Sequence, residues 1–135
     1  MVRIAAAVLA GFVAIGILVV LTDQIFAAAV PGFQAMTPAP LYYFVIVLCT
    51  DTLYSLVGGY LCAVIARAAV RKATVVLMIF GEIMGVVATV LAWNNEPHWC
   101  AFALLALYPI AIWLGSSLRS GGARPAPISR AVSQA

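Results

Sequence analysis

The stretch "YLCAVIARAAVRKATVVLMIFG", residues 60–81, decides the fold of this chain. Two apolar runs flank a short segment that contains Arg67, Arg71 and Lys72. Cationic side chains are costly inside a bilayer and collect on its cytoplasmic side, so we expect the segment to be a cytoplasmic turn. Because only a few residues join the two runs, we expect an antiparallel helical hairpin that crosses a membrane twice.

The rest of the chain repeats this composition. Of its 135 residues, 66% are hydrophobic and 8% are charged, which is far from the balance of a soluble domain. A helix needs about 20 apolar residues to cross a hydrocarbon core of about 30 Å. Leu, Val, Ala and Ile dominate without strand-like alternation, so helices are favoured over a barrel. The sequence predicts an all-α, four-transmembrane-helix bundle with spans at about residues 4–24, 41–66, 73–93 and 99–118.

Charge placement predicts the orientation of these spans. The remaining basic residues lie before the first span or after the fourth, and the other two connections contain no Lys or Arg. Both termini are therefore expected in the cytoplasm. Residues 1–119 would form the membrane domain, and residues 120–135, which have little to bury, a disordered cytoplasmic tail. A cleaved signal peptide is the alternative for the first span, because Arg3 precedes it and small residues follow at 27–29.

Two acidic residues fall near the middle of predicted spans, whereas Asp23 is expected at the outer end of the first. Asp51 and Glu82 each lie about ten residues, or ~15 Å, from the nearer predicted boundary. A charged side chain at that depth costs about 2.5–3.5 kcal/mol, so both are expected to face the interior of the bundle. Tyr54 and Ser55 follow Asp51 at spacings of three and four and share its helix face. These four residues form a candidate intramembrane polar or proton site, and the alternative is that they only bond neighbouring helices.

Glycines mark the expected helix contacts. Gly58 and Gly59 lie on the second predicted helix, and Gly81 and Gly85 on the third. Small residues let helix backbones approach closely in lipid. Because the short turn holds these two helices together, we expect them to make the closest contact in the bundle through these glycines.

Four motifs carry a family resemblance. They are "TD" at 22–23, "YSLVGGYLCAVIAR" at 54–67, "ATVLAWNNEPHW" at 88–99 and "YPIAIWLGSSL" at 108–118. With them the chain resembles an uncharacterised family of small bacterial four-helix integral membrane proteins. The resemblance implies four retained helices and a multi-pass protein of the bacterial cytoplasmic (inner) membrane. It implies no activity.

The chemical groups in the sequence determine which functions we expect. His98 is the single histidine, and no nucleophile–base pair, cofactor motif or set of metal ligands is visible, so we expect no enzyme, cofactor or metal. The basic residues serve topology, so no nucleic acid is expected either. The partners would be the lipid bilayer and other membrane subunits or a second copy. We interpret the chain as an interaction or accessory bundle, with a small proton-coupled transporter or channel using Asp51 and Glu82 as the alternative.

Overall fold

A computed structural model of the chain describes residues 2–30, 40–91, 93–94 and 97–120. Within these residues the structure is helical and contains no strand, which confirms the predicted all-α class. Of the tail predicted at 120–135, Ser120 instead ends the last helix, and residues 121–135 lie outside the described residues, as does the connection at 31–39. The helices are α1 (Val2–Ala29), α2 (Leu41–Ala66), α3 (Val70–Leu91) and α4 (His98–Ser120), with a 3-10 turn (Arg67–Ala69) between α2 and α3.

Helix α1 is longer than predicted. It continues to Ala29, past the expected end near residue 24, so Asp23 lies inside the helix. The run of alanine at 27–29 has the highest helix propensity of any residue type, and the first helix breaker in the sequence is Pro31. The lower hydrophobicity around Asp23 therefore does not end the helix.

The predicted hairpin is present. Helix α2 ends at Ala66, and the backbone N–H of Arg67 donates to the carbonyl oxygen of Ala63 while Arg67 adopts a φ of 51°. The chain reverses direction at this point. A Cβ built on Gly11 of α1 would lie 3.3 Å from Cys62 and 3.2 Å from Leu77, which places α2 and α3 side by side.

The helix packing differs from the prediction. Helix α2 packs most extensively against α4 and next against α1, and its contact with α3 is smaller. Helix α3 also contacts both α1 and α4. Helices α2 and α3 therefore occupy the middle of the bundle, with α1 and α4 on opposite sides. The prediction that α2 and α3 make the closest contact is wrong.

The glycines explain this packing. A Cβ on Gly11 would lie 2.8 Å from the Gly58 carbonyl oxygen, so α1 and α2 touch backbone to backbone. A Cβ on Gly59 would instead overlap the backbone of Ile112 on α4. Successive residues of a helix point about 100° apart, so Gly58 and Gly59 necessarily serve two different neighbours. On α3, a Cβ on Gly81 would overlap Tyr108 of α4, not α2.

The bundle is divided along its length. We call its tightly packed part the dry half: it adjoins the turn between α2 and α3 and consists of the buried cluster Ala7, Val8, Cys62, Ala66, Ala73, Leu77 and Ile112. These side chains come from all four helices. The opposite part of the bundle holds the cavity described below.

The outer surface is apolar. Large hydrophobic side chains such as Leu9, Ile17, Ile79 and Trp113 are more than half exposed. So much exposed apolar surface is unfavourable in contact with water but compatible with contact with lipid. Three helical stretches are long and apolar enough to cross a membrane, Val2–Ala29, Leu41–Leu91 and His98–Arg119, so this chain is a membrane protein.

Candidate functional site

A cavity of about 390 Å³ lies between the four helices, outside the dry half. Such a volume is within the range of small-molecule binding sites. Every helix contributes to its wall, and the contributing stretches lie at one level of the bundle. They are residues 15–23 of α1, 43–55 of α2, 81–89 of α3 and 100–108 of α4.

Three carboxyl groups line this cavity. Asp51 and Glu82, which the sequence offered as two separate intramembrane acids, both lie in its wall, and Asp23 of α1 joins them. None of the described residues that line the cavity is Lys, Arg or His. Acids from three helices thus line one cavity whose described wall has no basic side chain, an arrangement that attracts cations.

The hydroxyl groups of the wall add hydrogen-bond acceptors. Ser55 is buried, and its hydroxyl donates to the backbone oxygen of Asp51 at 2.7 Å. Thr52 donates to Leu48 at 2.6 Å, and Thr22 and Thr50 likewise donate to carbonyl oxygens one helical turn earlier. A hydroxyl has one hydrogen and two lone pairs, so these groups have acceptor capacity left over. Carboxylates and acceptors together suit a positively charged ligand or one that donates hydrogen bonds.

Of the four predicted site residues, Tyr54 is the one whose side chain does not line the cavity. Its hydroxyl forms a short hydrogen bond with the Thr22 hydroxyl and ties α2 to α1. Tyr54 therefore acts behind the wall, whereas Ser55, one residue later, is part of it.

Apolar and aromatic side chains complete the wall. Tyr43, Phe44, Leu104 and Leu105 line the cavity, as does Tyr108, which also packs against the buried cluster of the dry half. A ligand with an apolar body would be contacted by these side chains while its charge met the carboxyl groups.

Sequence reasoning missed two residues of this site. The sequence puts Asp23 near the expected end of the first span, and the alanine run that extends α1 past it is the signal that would have found it. Tyr108 stands beside Pro109 in an otherwise apolar stretch. A tyrosine hydroxyl in mid-span needs a partner for the same reason as a carboxyl group does, so the polar-group argument could have found it.

The described residues contain no group of three or more His, Cys, Asp and Glu side chains that could hold a metal ion. All three cysteines are free thiols. No known protein family, curated protein or solved structure matches this chain, so the resemblance to small bacterial four-helix membrane proteins stays a prediction and the cavity must be interpreted from its own chemistry.

Proposed function

We propose that this protein binds a small organic cation in the cavity and carries it across the bacterial inner membrane in exchange for protons held by Asp51 and Glu82. One observation supports this above all: acids from three helices line a single cavity whose described wall has no basic residue. On this observation we favour the transport alternative over the accessory bundle expected from the sequence.

The size and the walls of the cavity favour an organic cation over a bare metal ion. A metal ion requires several ligand atoms at about 2.0–2.6 Å around one point. A volume of about 390 Å³ with aromatic and aliphatic walls instead fits an ammonium or amine that has an apolar body. The carboxyl groups would bind its charge, and Tyr43, Phe44 and Leu105 its hydrocarbon part.

Proton exchange follows from the setting of the two central acids. A carboxyl group in a low-dielectric cavity is most stable when it is neutral or when a cation lies beside it. Each carboxyl group, Asp51 or Glu82, can therefore either hold a proton or bind the cation, but not both at once. A cation that enters displaces a proton, and a proton that returns releases the cation.

Binding of a matched ligand pair tests this proposal. Choline and its neutral isostere 3,3-dimethylbutan-1-ol have the same shape but differ by one charge. Calorimetry on the purified protein should give binding of choline and at least about tenfold weaker binding of the alcohol, a difference of about 1.4 kcal/mol. Glu82→Gln and Asp51→Asn should each weaken choline binding by a similar factor, and choline binding should release protons into a weakly buffered solution.

Tyr54→Phe is the matched control, because Tyr54 lies beside the site without lining it. Its choline affinity should stay close to that of the parent. Equal affinity for choline and the alcohol would contradict the proposal, as would unchanged affinity in both acid variants.

The proposal includes four spans with both termini in the cytoplasm. It is supported by the chain reversal at Arg67, by the basic residues near that turn, and by Arg3 in the first turn of α1 and Arg119 in the last turn of α4. Ala68→Cys and Asn94→Cys, each on a background without the native cysteines, should be labelled from opposite sides, with Ala68→Cys reached from the cytoplasm. Labelling of position 94 from the cytoplasm would exclude this orientation.

The second candidate function is the interaction or accessory bundle expected from the sequence. The apolar outer surface of all four helices supports it, because such a surface can pack against another membrane subunit or a second copy as well as against lipid. Crosslinking in native membranes and copurification test it. A stoichiometric partner together with absent cation binding would favour this function over transport.

A further inference from the structure

Tyr108 lies where the cavity meets the dry half. Its side chain lines the cavity and also packs against the buried cluster of the dry half. Its hydroxyl donates to the backbone oxygen of Leu77 at 3.3 Å. Leu77 is fully buried in that cluster, so the tyrosine spans the boundary between the two parts of the bundle.

Gly81 makes room for this tyrosine. The glycine is buried, and a Cβ atom there would overlap the ring and the hydroxyl of Tyr108. The ring therefore rests directly on the backbone of α3. Tyr108 meets the main chain of this helix at two positions: Gly81 lies under the ring, and the backbone oxygen of Leu77, one helical turn earlier, accepts its hydrogen bond.

We propose that Tyr108 is the barrier of the cavity: its side chain, seated on Gly81, stops water and ligand at the dry half and sets how deeply a ligand can enter. Beyond it lie Cys62, Leu77 and Ile112, which are fully buried. Ile15 of α1 also lines the cavity and packs against the cluster, so the barrier is formed by Tyr108 together with this smaller side chain. The inference rests on the cavity and holds whichever ligand the cavity takes.

A thiol can report on each side of this barrier, one of them native and one introduced. Cys62 belongs to the buried cluster of the dry half, whereas Thr89 lines the cavity and can be replaced by cysteine. Buried thiols react slowly and thiols in contact with water react quickly. Labelling of these two positions with a small water-soluble methanethiosulfonate therefore reports where water stops.

The experiment uses the full chain in detergent with Cys49→Ser and Cys100→Ser, which leaves Cys62 as the single thiol. Tyr108→Ala should raise the labelling rate of Cys62 by at least about tenfold. Tyr108→Phe, which keeps the ring, should leave the rate near that of the parent. Thr89→Cys on a background without native cysteines should react readily whether position 108 is Tyr or Ala.

Leu105→Ala is the matched control, because Leu105 lies on α4 one turn before Tyr108 and lines the cavity. It removes bulk from the same helix without removing the barrier, so Cys62 should stay protected. Tyr108→Leu serves as a second, milder variant, and circular dichroism verifies that each variant keeps its helix content.

Three results would overturn the inference. The first is slow labelling of Cys62 in folded Tyr108→Ala and Tyr108→Leu. The second is labelling of Cys62 in Leu105→Ala as fast as in Tyr108→Ala. The third is failure of Thr89→Cys to react when position 108 is Tyr. Labelling involves no ligand. Absence of choline binding would thus reject the proposed function and leave the barrier inference standing. A Cys62 that stays protected in folded Tyr108→Ala would reject the barrier inference and leave the proposed function standing.

Discussion

Gly81 and Gly85 lie one helical turn apart on α3, but a methyl group would have different consequences at the two positions. At Gly81 it would overlap the rigid ring of Tyr108, whereas at Gly85 it would meet only the end of the Leu105 side chain, at 3.1 Å. Gly81→Ala should therefore lower the free energy of unfolding by about 1–3 kcal/mol. Gly85→Ala should be near neutral, because Leu105 can move and alanine favours the helix.

Thermal unfolding in detergent measures both changes. A 2 kcal/mol loss corresponds to a shift of roughly 5–15 °C for a chain of this size. If both alanine variants melt at the same temperature, the ring of Tyr108 does not rest on the backbone of Gly81.

Individual residues also show how far sequence reasoning reached. The cost of charge in lipid led us to expect Asp51 and Glu82 in the interior, and both line the cavity. Their functional role stays a prediction. That they share one cavity with Asp23 could not be derived, because it depends on how far apart four helices stand at one level of the bundle.

At the scale of helices, α2 and α4 make their closest approach through glycines on both partners. Gly59 lies against the backbone of Ile112, and Gly115 lies against the backbone of Leu56. Backbone atoms cannot rotate away as a side chain can. Gly59→Ala should therefore push the two helices apart and destabilise the fold by about 1–3 kcal/mol.

Gly16→Ala is the control for this prediction. Gly16 lies on α1 with no atom within 4 Å of the position that a Cβ would take. This variant should be unchanged or more stable by up to about 1 kcal/mol, since alanine has the higher helix propensity. Chemical unfolding monitored by circular dichroism compares the two, and a Gly59→Ala protein as stable as Gly16→Ala would contradict the close α2–α4 contact.

The wrong prediction about α2 and α3 has a physical cause at this scale. A short turn holds two helices together at their joined ends but does not control their separation further along. The cavity lies at the ends of the two helices that are far from the turn, and its wall includes residues 43–55 of α2 and 81–89 of α3. Helix identity and approximate bounds were predictable from apolar runs, whereas the choice of neighbours depended on which way Gly58 and Gly59 face.

Across the whole molecule, the dry half and the cavity half should differ in local stability. Buried apolar contacts protect backbone hydrogen bonds from opening, and a cavity lowers that protection. Hydrogen exchange in nanodiscs should therefore be slower at residues 58–66 of α2 than at residues 46–54 of the same helix. Both segments lie within one helix and within the predicted span, so lipid coverage alone does not distinguish them.

A cation that fills the cavity should reduce this difference, because bound ligand supplies the missing contacts. Exchange measured with and without choline tests that. Uniform protection along α2 in the empty protein would contradict a division into two halves.

The hydroxyl groups of the cavity wall have one more consequence. Thr22, Thr50, Thr52 and Ser55 each donate their hydrogen to a carbonyl oxygen of their own helix. A Grotthuss wire needs hydroxyl groups that rotate freely, receiving a hydrogen on one side and passing one on from the other. In these four groups the hydrogen is already held by a carbonyl oxygen, so they are poorly placed to pass a hydrogen ion along the wall. In the proposed exchange, hydrogen ions would therefore move through the cavity on carboxyl groups or on water.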